Sequence, residues 1–441
     1  MSSELITIFM FTSMLLLMAT GQRVFGVIGF VGAAAALWLW GKGSAEMPFN
    51  AAIQVMNWFP LITVPFFVFM GYILSESGIA SNLYRMFHVW FGGLRGGLAL
   101  GTMGLMVLIS CMNGLSVAGM AIGATVALPE LLRRGYNKVM VTGVIQGGSS
   151  LGILIPPSVV LVLYAMIARQ PVLQLWLAGI LPGLLMAALF TIYIFIRCRM
   201  NPELAPAIPK EELDAIPRME KLKLLSAGIM PLGIFAAIMG LFMTGVTSLV
   251  ESSVVGAALA VIAAFASGRL NRRVWEESTR NTLAVSCMFL WIILGALCFS
   301  SVYDGLGAVR AIESLLLNTW DLGRWEILIA MMISFVILGI FLDDTAMLVI
   351  VAPLYIPLVR ALDFDLVWFG VLYTITCQIA YITPPFGYNL FLMRAMAPPE
   401  ISLVDIYRSI VPFFFLMVVT MVILMIFPQI ALWVPNLYYG R

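Results

Sequence analysis

The chain has 441 residues, of which 62% are hydrophobic and 10% charged, and its formal net charge is +2. Soluble domains carry roughly 45–50% apolar and about 25% charged residues, so a soluble fold is excluded. Basic residues fall in short clusters between apolar runs, without the continuous stripe that a nucleic-acid surface needs, so the surrounding partner is membrane lipid and not nucleic acid.

From the amino terminus, Leu5–Thr20 is apolar and preceded only by Glu4. Without a basic lead it reads as a first membrane segment, not a cleaved signal. Charge-free runs follow at Val24–Gly41, Met47–Ser75, Gly96–Pro129, Val139–Ala168, Gln170–Ile196, Leu224–Val250, Asn281–Tyr303 and Leu366–Met393. A spanning helix needs roughly 20 apolar residues, which predicts on the order of a dozen membrane segments. The runs are continuous and do not alternate residue by residue, so the fold class is all-α, a polytopic membrane protein and not a barrel. Between them, Ser81–Gly92 mixes Tyr84, Arg85 and Trp90 with the single histidine, His88, as an interfacial amphipathic stretch does. One histidine alone makes no metal site.

The most polar stretch, 197–223, divides the chain. Lys and Arg concentrate in cytoplasmic loops, so this linker, Arg133-Arg134 and the Arg269–Arg273 cluster are expected on the cytoplasmic side. The resulting organisation is a first membrane half, 1–196, with a hairpin around 139–168, and a second half, 224–441, with a hairpin around 366–393. Five cysteines are scattered in apolar context and read as small buried hydrophobes.

Each half contains one Pro-Pro pair in a long apolar stretch, Pro156-Pro157 and Pro384-Pro385, at an offset of 228 residues (384 − 156). The same shift carries Pro129 onto Pro357 and Ser116 onto Asp344, which is the mark of an internal duplication. Proline removes a backbone donor and disfavours helix in the residue before it, so neither Gln146–Ser158 nor Gln378–Asn389 supports a continuous helix. Irregular backbone at membrane depth persists where it is buried in protein or lines a cavity, and unwound carbonyls there are ligands for a dehydrated cation. Two re-entrant hairpins with tips near the midplane are predicted. Asp343 and Asp344 interrupt apolar sequence and at least one is expected within the membrane zone, where a carboxylate is costly and usually functional.

The segments Gly152–Ser158, Leu128–Tyr136, Gly339–Asp343 and Thr383–Leu390 together resemble the large membrane subunit of a tripartite ATP-independent periplasmic (TRAP) transporter, over nearly the whole chain. The resemblance implies two inverted structural repeats, each with a re-entrant helical hairpin, and an elevator-type importer of the bacterial inner membrane. Its expected partners are a small membrane subunit of the same transporter, a periplasmic substrate-binding protein and an anionic small-molecule substrate. It implies one Na+ site at Ser110, Asn113, Gly152, Ile155 and Pro157 and a second at Gly339, Ala380, Thr383 and Phe386. The offset of 228 carries Gly152 onto Ala380 and Ile155 onto Thr383, in accord with that transfer. Candidates for the substrate pocket are Ser149, Ser150, Ser158, Thr383 and Asn389, then Ser300 and Ser301, with Tyr381 and Tyr388 as specificity positions and Arg394 as a cation beyond the second motif. Two other readings are a stand-alone ion-coupled anion carrier, and an intramembrane aspartyl protease built on Asp304 with Asp343 or Asp344; the protease leaves the duplicated Pro-Pro segments unexplained.

Overall fold

The computed structural model describes residues 3–114, 116–207, 211, 216–308, 323–342, 344–385 and 387–440. Asp343 and Phe386 therefore lie outside the described residues, as do the side chains of Ser110 and Asn113. All secondary structure among the described residues is helical.

The chain opens with α1 (Ser3–Ala19), α2 (Val24–Ala35), α3 (Glu46–Met56), α4 (Thr63–Glu76) and α5 (Ile79–Phe91). Next come α6 (Gly97–Asn113), α7 (Ser116–Ile122), α8 (Leu128–Arg133), α9 (Lys138–Ser150), α10 (Val159–Ala168) and the long α11 (Val172–Met200). Beyond the polar stretch are α12 (Arg218–Met243), α13 (Leu249–Ala266), α14 (Arg272–Gly305), α15 (Arg324–Gly339) and α16 (Asp344–Ala361). The chain closes with α17 (Leu366–Tyr381), α18 (Tyr388–Met396), α19 (Leu403–Ile426) and α20 (Gln429–Tyr439).

Among the described residues five helical segments are long and apolar enough to cross a membrane alone: Phe59–Glu76, Val172–Met200, Leu249–Ala266, Arg272–Gly305 and Leu403–Ile426. Others are shorter. α9 has 13 residues, about 20 Å at 1.5 Å per residue, against a hydrocarbon core of about 30 Å. Such a piece is too short to cross alone, and α9 ends where the first break begins.

Local chemistry fixes the starts of these pieces. Asn137 caps α9 by accepting from the Val139 and Met140 amides, Ser158 caps α10 through Leu161 N, and Asp365 caps α17 through Trp368 N. A reciprocal capping box, Ser402 with Asp405, opens α19. The base of α9 is tied to the same turn by Lys138 Nζ, 2.7 Å from Asp405 Oδ2.

α9, α10 and α17 are enclosed by the rest of the protein, and every residue from Met140 to Ala165 is buried. Close crossings rest on absent side chains: a Cβ at Gly143 would stand 2.5 Å from the Ser409 carbonyl oxygen, so α9 and α19 touch through backbone there. In the same way α2 packs on α14, where a Cβ at Gly32 would meet Phe299 N at 2.7 Å and one at Gly295 would meet Phe25 O at 2.8 Å. Small residues that let backbones approach are how helices associate without a hydrophobic driving force between them.

Candidate functional site

Both predicted breaks are present. After α9 the chain makes a short 3-10 turn, Leu151–Ile153, and runs irregularly through a cis Pro156–Pro157 bond before α10 begins at Val159. Ser158 holds the break closed: its hydroxyl donates to Ile153 O at 2.5 Å and accepts from Leu161 N at 3.2 Å, while Trp176 Nε1 donates to Ser158 O at 3.1 Å. The carbonyls of Gly152, Ile155 and Pro157 accept no backbone hydrogen bond among the described residues, and all three residues are buried. Buried carbonyls without partners are costly and rare, which marks this tip as a place where something else supplies the partner.

The junction between α6 and α7 meets this tip. Val159 N donates to Gly114 O at 3.4 Å, and a Cβ at Gly114 would fall 2.1 Å from the Pro157 carbonyl oxygen. Gly114 has φ of 63°, a conformation that L side chains rarely adopt, so glycine is required there twice over, by dihedral and by space. The backbone of Ser110–Asn113 at the end of α6 leads directly into this junction.

The second break differs. α17 ends at Tyr381, and a cis Pro384–Pro385 bond lies between it and α18. Here the Ala380 carbonyl accepts from Thr383 N at 3.1 Å, the Thr383 carbonyl accepts from Gly387 N at 3.0 Å, and the Thr383 hydroxyl donates to Ile379 O at 2.6 Å. Pro384 and Pro385 are exposed. Gly339, at the end of α15, meets Ala380: a Cβ on Gly339 would stand 2.5 Å from the Ala380 Cβ. The candidate residues Gly339, Ala380 and Thr383 are therefore together, but two of their carbonyls are already engaged.

Two contacts join the breaks. Gln378 Nε2 donates to Ser150 O at 2.8 Å, and the Ser116 hydroxyl pairs with the Asn389 carboxamide, 3.0 Å from Nδ2. Gln378 and Asn389 are both 0% exposed, and Gln378 Oε1 and Gln146 Oε1 have no hydrogen-bond partner among the described residues. Gln378 and Gln146 open the two motifs in sequence, yet nothing local shows that one crosses to the other break.

A cavity of about 640 Å³ lies where the breaks face α2 and α14. From the broken segments come Ile153, Tyr381 and Tyr388, and from the adjoining helix ends Ser116, Gly339 and Asp344; α14 contributes Ala284, Cys287, Met288 and Trp291, spaced as one helix face; Arg23 lines it from just before α2. Most of the proposed pocket hydroxyls stand elsewhere. Ser149 and Ser150 donate to Gln146 O and Gly147 O at 3.0 and 2.7 Å, Ser158 is the cap just described, and Asn389 is occupied with Ser116. Ser300 is buried within α14, and neither it nor Ser301 lines the cavity. In apolar surroundings a serine satisfies its hydroxyl on the preceding turn of its own helix, which is why a serine-rich segment need not present hydroxyls to a ligand. Arg394 is likewise structural, donating to Ile401 O at 3.2 Å. Asp344 is 4% exposed at the start of α16, and the Tyr373 hydroxyl donates to its carbonyl at 2.6 Å.

A multi-helix membrane protein whose interrupted helices converge on an open cavity has the fold of a polytopic membrane transporter. The architecture is similar to that of a transporter of Alcanivorax borkumensis, YdaH, with a TM-score of 0.60 at 15% identity over 89% of each chain. Residues 11–430 match the family described as tripartite ATP-independent periplasmic transporter, DctM component, and the chain belongs to that family. It is 28% identical to the C4-dicarboxylate TRAP transporter large permease protein DctM of Pseudomonas aeruginosa over 86% of each chain. It is also 28% identical to the sialic acid TRAP transporter permease protein SiaT of Haemophilus influenzae, over 88% of this chain and 62% of that one. Relatives at 27% and 24% identity are named for ectoine and isethionate. The chain is a transporter subunit and not an enzyme, which removes the protease reading.

Proposed function

We propose that this chain is the large membrane subunit of a sodium-coupled importer that moves an organic acid, a carboxylate or sulfonate, across the bacterial inner membrane. It receives the substrate from a periplasmic binding protein and works beside a small membrane subunit. The observation that carries the coupling is the set of carbonyls of three buried residues, Gly152, Ile155 and Pro157, which accept no backbone hydrogen bond among the described residues at the first break, where Gly114 of the α6–α7 junction packs against Pro157. Carbonyl oxygens gathered without donors in a membrane protein are matched by a dehydrated cation. In this reading Ser110 and Asn113 complete a first Na+ site, and Gly339, Ala380, Thr383 and Phe386 form a second.

Residues 1–196 and 224–441 are then inverted repeats joined by a cytoplasmic linker at 197–223. The two breaks travel as one unit against α2 and α14 in an elevator movement, with the substrate held in the cavity between. Sodium binding orders the first tip and so completes the cavity wall at Ile153. The names of relatives, for a C4-dicarboxylate, sialic acid, ectoine and isethionate, support an organic acid as cargo.

The test is uptake into proteoliposomes holding this chain and its small partner, with and without an inward sodium gradient and with a binding protein outside. Accumulation that needs both sodium and the binding protein supports the tripartite importer. Accumulation with sodium alone supports a stand-alone carrier, and uptake indifferent to sodium sinks the carbonyl assignments.

A further inference from the structure

The wall of the cavity is unlike what a small dianion requires. Phe25 and Trp291 face each other with ring centroids 6.0 Å apart, at the boundary of α2 and α14. In the same wall Tyr381 and Tyr388, on either side of the second break, are also 6.0 Å apart. Phe289 and Phe341 add further ring surface. Among the described lining residues Arg23 is the one cation and Asp344 the one carboxylate. Arg23 is exposed and forms no ion pair or side-chain hydrogen bond with another described residue.

A ligand of two negative charges would meet one guanidinium and one opposing carboxylate there, and would leave its second charge against aromatic carbon, where an unmatched ion is strongly disfavoured. One carboxylate on Arg23 with an apolar body among the rings satisfies both kinds of surface. The space suffices: a cavity of about 150 Å³ already holds benzene, and this one measures about 640 Å³.

We infer that the cargo is a monocarboxylate with a bulky apolar or aromatic body, its carboxylate held by Arg23 and its body seated between the Phe25–Trp291 and Tyr381–Tyr388 pairs. This rests on the reading of the cavity as the substrate site. Arg23 precedes α2 and is far in sequence from either Pro-Pro motif, so specificity for the single charge comes from outside the broken segments.

Cys287 offers a direct probe, because it is exposed in the same wall, whereas Cys198, Cys298 and Cys377 are buried. The complex with its small subunit, reconstituted in lipid nanodiscs with sodium, is alkylated with N-ethylmaleimide, and the Cys287 peptide is followed by mass spectrometry. Phenylacetate is expected to slow labelling of Cys287 at least fivefold, succinate at equal concentration to leave it unchanged, and Arg23→Gln to remove the phenylacetate protection while Cys287 still reacts. Protection by succinate equal to or greater than that by phenylacetate overturns the inference, and so does phenylacetate protection that survives Arg23→Gln. Sodium-driven succinate uptake in proteoliposomes without phenylacetate protection overturns this inference and leaves the importer standing. Absence of both protection and sodium-driven uptake of either anion overturns the two together.

Discussion

The two Pro-Pro breaks share a motif and a cis peptide bond, yet they satisfy their backbones in opposite ways. At the first, the carbonyls of three buried residues accept no backbone hydrogen bond among the described residues, and the whole segment is buried. At the second, the Ala380 and Thr383 carbonyls accept from Thr383 N and Gly387 N, and the prolines reach the surface. The first break is thus a socket formed together with its neighbours, and the second is a turn that satisfies its own carbonyls and leaves its prolines exposed. A repeated motif fixes where a helix is interrupted; what the interruption does is set by the neighbours that close over it, and only the first has an α6–α7 junction pressed against it.

The largest effect that separates the two tips is expected from paired glycine substitutions. Gly114→Ala places a methyl 2.1 Å from Pro157 O on a residue with φ of 63°. With left-handed strain of roughly 1–2 kcal/mol added to that overlap, sodium-driven uptake should fall by about tenfold or more. Gly387→Ala meets Tyr381 O at 2.7 Å and Thr383 O at 2.8 Å, but at a φ of −47°, so it carries overlap without left-handed strain and should cost several-fold less than Gly114→Ala. Equal losses in the two variants would erase the distinction between socket and turn.

A second effect lies in the contacts that make the tips one body. Gln378→Leu removes the donor to Ser150 O in a fully buried site, and a buried acceptor left alone costs about 1–3 kcal/mol. Thermal unfolding of the detergent-solubilised protein should show that loss as a lower midpoint. Asn389→Ala, which frees the Ser116 hydroxyl, should cost about 1 kcal/mol. If neither variant lowers the midpoint, the breaks are not coupled through these side chains.

Smaller again is the contrast between the hydroxyls. Ser158→Ala removes a cap and the bond that closes the first tip, about 1 kcal/mol. Thr383→Val loses a bond to the preceding turn of its own helix at a half-buried position, a few tenths of a kcal/mol. The same unfolding assay should rank them in that order.

Much of this was legible in sequence, and for identifiable reasons. Charge-free runs announce helices at membrane depth, and paired prolines announce breaks, because each signal is local. Gly152, Ile155, Ala380 and Thr383 were put forward by the family resemblance, and the offset of the prolines pairs Gly152 with Ala380 and Ile155 with Thr383. What sequence could not show was the direction of a side chain. Ser149, Ser150 and Ser158 read as ligand hydroxyls and bond instead to their own backbone. The cavity wall, conversely, is supplied by Arg23 and by Ala284, Cys287, Met288 and Trp291, and the spacing of those four on α14 is a signal that a search for lone polar residues passes over.

The last and smallest effect concerns the bases of the two hairpins. Before α9, Glu130 accepts from Arg133 and Arg134 and pairs with each at 2.7 and 2.9 Å. The position equivalent by the offset of 228 is Leu358, while the nearby Arg360 donates to the Ala168 carbonyl and Asp365 is engaged in capping α17. Burial pushes the Glu130 carboxyl up, but the hydrogen bonds and charges of the two arginines more than offset this and hold it below its ordinary value of 4.5. A depressed folded value means the pairing stabilises the protein fully above the unfolded value and is lost as pH falls through the folded one. Stability owed to this pair should therefore be level near neutrality and decline below about pH 4.5. The arginines are partly in solvent, so the contribution is at most about 1 kcal/mol. Glu130→Gln should lower the unfolding midpoint slightly at pH 7 and not at all at the lowest pH the protein tolerates, where the wild-type carboxyl is also neutral. A difference that persists at low pH would mean that Glu130 acts by packing, and the charge contrast between the two bases would carry no stability.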